Sequence, residues 1–516
     1  MDKIDNNKKI FFFISIIYFF YYCFLNYFQT EYDFLHFYEI ILKEKENHQL
    51  YKDFTIWYGP HLILFLKLLK KLLILEFSTI FILGYVQNLI LASITLRICK
   101  IFIKDKDFYA HIFAVSLIWI NPSIHQFYWD YYAYLFGLFG IYFFLKNKYL
   151  TSAIFFSFIF FLKQTQGIMF ILILLTISMR DFLVKKYNYK IILYIFFFTL
   201  LHFLFIKIFY DFDLYYNNSI NFIYGYTDTL YGINYDFYIR LILQFFKFQF
   251  DQHIIFDPSF WRHTNGTAIS YYLLFIAPFH FLMIYFILNL KRFKENYFLF
   301  IFIILLLNAF MAPLIGRGYF SKVFGLFVCS YILIDIFKHK LTQFKNIILT
   351  TTTIIFISYG AIYNLIQINF DENLIIRNNK VKYLNINYNF YKDSDIFFDS
   401  KEVYNLIISN GLKNIFITGN LSRAPVILSN QASVNYELYF YPKWQPPAAS
   451  TNAVNFNSAL ALDFKNKSPD YLISEKKEYK TFASNNKGFL KELLNYKLYF
   501  ENNNYVIYKK KIKPKL

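Results

Sequence analysis

The sequence predicts a polytopic α-helical membrane protein with about eleven transmembrane helices and a small C-terminal α/β domain outside the membrane. Three observations predict this class. First, 57% of the 516 residues are hydrophobic, only 17% are charged, and the mean hydropathy is +0.34. A soluble chain of this length could not bury so much apolar surface. Second, apolar runs recur as far as residue 368. Third, the chain from residue 369 onward is polar and lacks any run of membrane length.

The apolar runs give the predicted spans, since a crossing helix needs about twenty apolar residues and fewer where flanking side chains snorkel. The first run follows a basic start, and no small-residue cleavage site comes after it. We therefore expect a retained span and not a removed signal peptide. The predicted spans are 10–29, 77–98, 108–121, 131–145, 149–162, 167–180, 191–210, 267–290, 297–315, 323–337 and 347–368.

The distribution of basic residues predicts the orientation. With the N-terminus inside, the cytoplasmic segments carry 19 Lys and Arg residues, whereas the longer outer loops carry 9. Basic residues concentrate on the cytoplasmic side of membrane proteins, so the N-terminus is predicted inside and the C-terminus outside. The same rule explains the net charge of +19 without a nucleic-acid partner.

Two segments are predicted to be helices that lie in the membrane interface. In 61–76, three lysines cluster at helical spacing while Leu and Ile fill the other face. This pattern is typical of an interfacial helix. The segment 240–250 shows a similar pattern within a large outer loop. For both segments the alternative is a tilted span whose lysines snorkel to the interface.

The polar tail predicts a second domain. Within 369–516, "EVYNLIISNG" and "GFLKELLNY" are typical of helices, whereas "NIFITG", "DYLISE" and "YVIYKKK" are typical of strands. A proline-rich loop, "YPKWQPPAAS", separates them. We therefore expect a transmembrane domain over 1–368 and an α/β domain over 369–516.

The first outer loop, "EYDFLHFYEIILKEKENHQLYKDFTIWYGP", contains the richest group of candidate catalytic residues. Asp33 follows the first predicted span closely, with Glu31 and His36 beside it and Asp53 further along. On a helix, Asp33 and His36 share a face. A carboxylate at the membrane surface can act as a general base toward a hydroxyl group. The alternative is a solvated cluster that only ends the first span.

These residues resemble a motif of the GT-C membrane glycosyltransferases, the class of the protein O-mannosyltransferases and the lipid A aminoarabinose transferase. "EYDFLHFYEIILK" resembles the acid-then-helix element of that class. "LYKDFTIWYGP", which contains Asp53 and Tyr58, resembles an element of bacterial members of the dolichyl-phosphate-mannose type. The usual glycine before the tyrosine is absent. The usual adjacent acid pair is replaced by "EYD", which leaves open whether Glu31 or Asp33 holds the catalytic position, and we favour Asp33.

Two further motifs match the resemblance. "FFLKQTQGIMF" resembles a Lys-Gln-x-x-Gly turn, and "PLIGRGYFSK" resembles an Arg-Gly or Arg-Tyr element at the outer end of a late span. Lys163, Arg317 and Lys322 are then expected to contact the donor phosphate, because ammonium and guanidinium groups suit phosphate oxygens. The alternative for Lys163 is a short solvated turn with a snorkelling lysine.

The resemblance implies transfer of a sugar from a polyprenyl-phosphate donor to a glycan, lipid or protein acceptor at the outer face of a bacterial inner membrane. Asp33, Glu31 and Asp53 are then the catalytic candidates, and His36 and Tyr58 belong to the acceptor loop. Some members of the class require a divalent metal and others do not, and no ligand spacing in this sequence selects between them. A lipid-linked glycan flippase and an O-antigen-type polymerase remain alternatives, although the candidate groups cluster at one membrane face and no half-to-half symmetry is present.

Overall fold

The computed structural model shows a largely helical chain with one small sheet. It describes residues 2–28, 33–45, 48–54, 56, 59–72, 77–102, 109–120, 129–183, 189–221, 277–292, 295, 298, 301–303, 345–366, 394–419, 422–435, 462–477 and 487–511.

Helices lie within most of the predicted spans. The segments 240–250, 323–337 and "YPKWQPPAAS" lie outside the described residues, as does most of 297–315. The helices are α1 (Asp2–Phe28), α2 (Asp33–Lys45), α3 (His61–Leu72), α4 (Phe77–Phe102), α5 (Tyr109–Ile120), α6 (Trp129–Leu145), α7 (Tyr149–Leu162), α8 (Gln164–Leu183), α9 (Lys190–Phe209), α10 (Phe212–Tyr215), α11 (Ala277–Leu288) and α12 (Lys345–Ile366), then α13 (Ser394–Ser409), α14 (Arg423–Leu428) and α15 (Lys487–Leu493).

Three helices in the described part of the chain are long and apolar enough to cross a membrane. Their apolar segments are Lys8–Leu25, Ile82–Phe102 and Lys190–Phe209. On the first and third of these, large apolar side chains such as Phe12, Phe20 and Phe196 are mostly exposed. Exposed apolar surface of this extent is stable against lipid and not against water. The protein is therefore associated with a membrane; the number of crossings and their orientation stay predictions.

The chain divides into two compact units. The first contains Met1–Leu25, Phe81–Leu204 and Tyr238–Gln367. The second contains Asn26–Ile80, Phe205–Phe237 and Ile368–Leu516. The segment that follows the first predicted span thus belongs to the same unit as the polar C-terminal segment.

Close packing of α6, α7 and α8 forms a part of the first unit. Phe139 and Phe143 of α6 stack on Phe155 of α7, with ring centroids 5.2 and 5.6 Å apart. Ser152 donates a hydrogen bond to the Gly140 carbonyl oxygen at 2.8 Å. Side-chain hydroxyls satisfied in this way allow two apolar helices to approach closely.

The second unit contains a four-stranded sheet in the order β1 (Ile415–Thr418), β2 (Tyr471–Glu475), β4 (Tyr505–Lys510), β3 (Tyr496–Glu501). Strands β1 and β2 are parallel, and β4 runs antiparallel to β2 and β3. The predicted helices α13 and α15 and the predicted strands β1, β2 and β4 are confirmed. Strand β3 and helix α14 were not predicted.

Both faces of the sheet are covered, which explains why all four residues of β1 are buried. One face packs Ile417, Ile473 and Ile507 against Val403 of α13 and Val426 of α14. The other face packs a second cluster, made of Phe416, Phe464, Leu472, Phe489 and Tyr496. Alternate residues of a strand point to opposite faces, so these two clusters follow directly from the alternation in "IFIT".

Candidate functional site

The structure describes some of the predicted site residues and not others. Asp33 is the first residue of α2, and His36 lies in the first turns of the same helix. For these two residues the backbone is described, whereas Glu31, Tyr58, Arg317 and Lys322 lie outside the described residues. The predicted helix after the acidic residues is therefore present, and the catalytic roles stay predictions.

Asp53 closes a turn in the first loop. Its carboxylate accepts a hydrogen bond from the Gln49 backbone N–H at 2.8 Å, and its own N–H donates to the Gln49 carbonyl oxygen at 2.8 Å. Tyr51, within this turn, has a φ of 65°, a conformation that non-glycine residues rarely adopt. These contacts make Asp53 a residue that holds this turn of the loop.

Aromatic side chains anchor this turn within the second unit. The Tyr51 ring is fully buried, with centroids 5.5 Å from Tyr215 and 5.9 Å from Tyr210. The Ser219 hydroxyl donates to the Ile56 carbonyl oxygen at 3.3 Å. The segment after α9 therefore supports the loop that carries the candidate acids.

A buried ion pair joins α2 to the C-terminal segment. Arg423 Nε of α14 lies 2.7 Å from Glu39 Oε2 of α2, and both side chains are almost completely excluded from solvent. Glu39 Oε1 also accepts hydrogen bonds from the Ser433 backbone N–H, at 3.2 Å, and from the Ser433 hydroxyl. Buried charges need such partners, because an unpaired one is very costly.

A second polar contact lies one helical turn further along α2. Lys43 is fully buried, its amine donates to the Asn435 carbonyl oxygen, and it lies 5.6 Å from the centroid of the Phe54 ring. The Asn435 side chain in turn pairs with both backbone groups of Ile417 on β1, at 2.9 and 2.8 Å. One asparagine thus links α2 to the edge of the sheet. We call Glu39, Lys43, Arg423, Ser433 and Asn435 the α2 anchor.

Burial dominates the electrostatics of Lys43. It lowers the pKa of the Lys43 amine from 10.5 to about 8, although nearby Glu39 and Asp463 oppose this shift. Lys467 and Arg423 lower the pKa further. The charge of Lys43 is therefore much less stable than that of an exposed lysine.

Lys163 belongs to the first unit and lies at the break between α7 and α8. The Lys163 residue is mostly buried, its backbone N–H donates to Ile159, and its carbonyl oxygen accepts from the Gly167 N–H at 2.9 Å. A Cβ atom on Gly167 would lie 2.8 Å from Phe160 Cα. Glycine is therefore required where these two helices meet, and the predicted Lys-Gln-x-x-Gly element is a tight break between helices that leaves little of Lys163 exposed.

Neither comparison with known proteins adds a relative: no protein-family model matches the chain, and no curated protein matches it. Across the part of the chain that the structure describes, no group of three or more His, Cys, Asp or Glu side chains is placed to hold a metal ion.

Sequence reasoning missed the α2 anchor. One signal was present, since Glu39 and Lys43 are four residues apart and flank the apolar run "IIL". A charged pair inside an apolar helical stretch indicates a buried polar contact. Its partners could not be inferred, because Ser433 is 394 residues away from Glu39 in the sequence.

Proposed function

We propose that the chain is a GT-C-like membrane glycosyltransferase that takes its sugar from a polyprenyl-phosphate donor. One observation carries this proposal: the first loop, which bears the acidic residues, belongs to the same compact unit as the polar C-terminal segment. In the sequence, this loop follows a helix of membrane length. An acidic loop that only ended a span would need no buried ion pair to hold it. The anchor at Glu39 and Arg423 favours a loop with a defined geometry over a solvated cluster.

In the proposed reaction the hydroxyl oxygen of the acceptor attacks the anomeric carbon of the donor sugar. The bond from that carbon to the phosphate oxygen breaks, and polyprenyl phosphate leaves with the bonding electrons. Asp33 takes the proton of the acceptor hydroxyl. Asp33 is the first residue of α2, the helix that carries Glu39 of the buried ion pair.

Lys163, Arg317 and Lys322 are proposed to neutralise the leaving phosphate. Fixed positive charges lower a barrier when they face the atoms on which negative charge develops. The support for these three residues is the resemblance of their motifs. Asp53 is proposed to hold the loop, and His36 and Tyr58 to line the acceptor side.

The remaining parts of the proposal concern the membrane. About eleven spans, an inside N-terminus, an outside C-terminal domain and interfacial helices in the first loop follow from hydropathy and charge. We place the protein in a bacterial inner membrane with the reaction at the outer face. The exposed surface of helix α3 supports the interfacial assignment, since Phe65 and Leu68, three residues apart on one face, are exposed apolar side chains.

The test is transfer by the purified full-length protein in lipid nanodiscs that contain radiolabelled polyprenyl-phosphate sugars. Asp33→Asn should lower transfer by about a hundredfold or more, because a general base contributes at least that factor. Near-normal transfer by a folded Asp33→Asn protein would refute the base assignment. Parallel Glu31→Gln and Asp53→Asn variants identify which acid replaces it.

A separate outcome tests the class of protein. If the wild type binds the donor and never consumes it in the presence of acceptors, the transport alternative is supported and the transferase proposal is wrong. If Lys163→Gln leaves transfer unchanged, the phosphate-binding role of Lys163 is wrong while the transferase proposal stands.

A further inference from the structure

A second polar site is present in the C-terminal α/β part of the second unit. A cleft with a volume of about 1020 Å³ opens at the end of the sheet where β1 and β2 begin and β4 ends. Its wall contains the aromatic side chains of Phe464, Tyr471 and Tyr496. Asp53, the candidate acid whose side chain the structure describes, does not line the cleft.

Lysines from three separate parts of the chain meet around this cleft. One precedes β1, one lies in the helical segment 462–467, two end β4 and one follows β4. Two carboxylates, Asp470 and Glu492, also line it. Lysines therefore outnumber acids by five to two. The lysines are Lys413, Lys465, Lys509, Lys510 and Lys511.

Local contacts hold the three consecutive lysines Lys509, Lys510 and Lys511. The Lys510 amine donates to the Ser468 hydroxyl at 2.6 Å, and the Lys511 amine donates to the Leu494 carbonyl oxygen at 2.8 Å. The Lys509 amine lies 5.5 Å from the centroids of the Tyr471 and Tyr499 rings. None of these partners is a carboxylate, so the contacts fix the direction of the amines without neutralising their charge.

Lys413 and Lys465 are the other two lysines of the cleft, and both are exposed. Like charges gathered around one concave surface repel each other, and a bound anion with several negative charges relieves that repulsion. Lysine ammonium groups bind phosphate oxygens as point charges, and aromatic walls pack against the organic part of such a ligand.

We infer that this cleft binds a phosphorylated ligand, with the lysine amines contacting its phosphate or pyrophosphate oxygens. The phosphate comes from a soluble molecule or from a lipid headgroup, and the two sources offer the same group to the lysines. No residue of the α2 anchor lines the cleft, since the lysines gather where β1 begins and Arg423 follows the end of β1.

The experiment measures binding of inorganic pyrophosphate to the full-length protein in phosphatidylcholine nanodiscs by calorimetry. Lys413→Gln and Lys465→Gln should each weaken binding about threefold, and the double variant about tenfold, because each removes one unit charge near the anion at a partly solvated site. Lys413→Arg combined with Lys465→Arg keeps the charge and should retain binding. Lys401→Gln, on α13, removes a lysine outside the cleft and is the matched control.

Amine-selective acetylation followed by mass spectrometry locates the site. Pyrophosphate should protect the cleft lysines and leave Lys401 unprotected. Vesicles of phosphatidylcholine with added phosphatidylglycerol test the headgroup source by the same protection. Protection by either probe supports the inference and names the source. Absence of protection by both, or equal loss of affinity in Lys401→Gln and Lys465→Gln, overturns it.

Discussion

Replacing Arg423 by methionine tests whether the α2 anchor holds the first loop. The substitution leaves the Glu39 carboxylate buried without its cationic partner, while the aliphatic part of the side chain is kept. Removing one partner of a buried ion pair costs about 3–5 kcal/mol. Ser433 still donates to the other oxygen of Glu39, so we expect the lower end of that range, about 3 kcal/mol.

Hydrogen exchange of α2 in the full-length protein is the measurement. A loss of about 3 kcal/mol in the local opening free energy should lower the protection of the α2 amides by about a hundredfold. Glu39→Gln combined with Arg423→Met removes both charges. This double variant should be more stable than Arg423→Met alone, because the Glu39 carboxylate is no longer buried without Arg423.

Lys476→Met provides the matched control. It breaks the Lys476–Glu501 pair, whose atoms are also 2.7 Å apart but whose side chains are 30% and 47% exposed. An exposed pair contributes about 0–1 kcal/mol to stability, so the hydrogen exchange of the α2 amides should change little in Lys476→Met. If Arg423→Met has no larger effect than Lys476→Met, the pair is solvated and the anchor does not hold α2.

Two further predictions concern Lys43 and Gly167. The pKa of Lys43 is about 8 in the folded state, and its ordinary value is 10.5. Between these two pH values the unfolded state binds more protons than the folded state. The free energy of unfolding should therefore rise with pH, by up to about 3 kcal/mol. Denaturant unfolding followed across this window should show the rise in the wild type and a smaller one in Lys43→Met; parallel curves would contradict the burial of the amine. Gly167→Ala should destabilise the first unit by about 1–3 kcal/mol, since the added methyl group meets the backbone of Phe160 and the helices must separate. Thermal unfolding should show a smaller effect for Gly140→Ala, whose methyl group meets only a ring edge at 3.0 Å, and the reverse order would contradict this reasoning.

Local patterns predicted the elements whose burial is one-sided or complete. Strand β1 is buried throughout and β2 is buried along its centre, so both were evident in "IFIT" and "YLIS". Strand β3 was missed because most of "YKLYFE" is exposed, and pairing with β4 is what makes it a strand. Helix α14 was missed because it is short and contains Pro425, which is tolerated since it lies in the first turn.

In the candidate site, too, the local structure could be predicted and the contacts between distant segments could not. The helix after the acidic residues of the first loop was predicted, since a helix depends on neighbouring residues. The pairing of Glu39 with Arg423 depends on where the chain returns after several hundred residues. No local pattern contains that information, and the predicted motifs therefore identified the loop without the contacts that fix it.

The physical role of the anchor is better explained by register than by stability. A buried ion pair adds little net free energy, because the desolvation of both charges offsets their attraction. Apart from Glu39 and Lys43, the buried residues of α2 are apolar, with Leu35, Ile40 and Leu42 excluded from solvent. An apolar surface alone tolerates sliding. A shift by one residue moves a helix by about 1.5 Å and turns it by about 100°, which would separate Glu39 from Arg423. The ion pair therefore selects one position for α2, and with it one position for Asp33, the residue that the proposed reaction requires to be held in place.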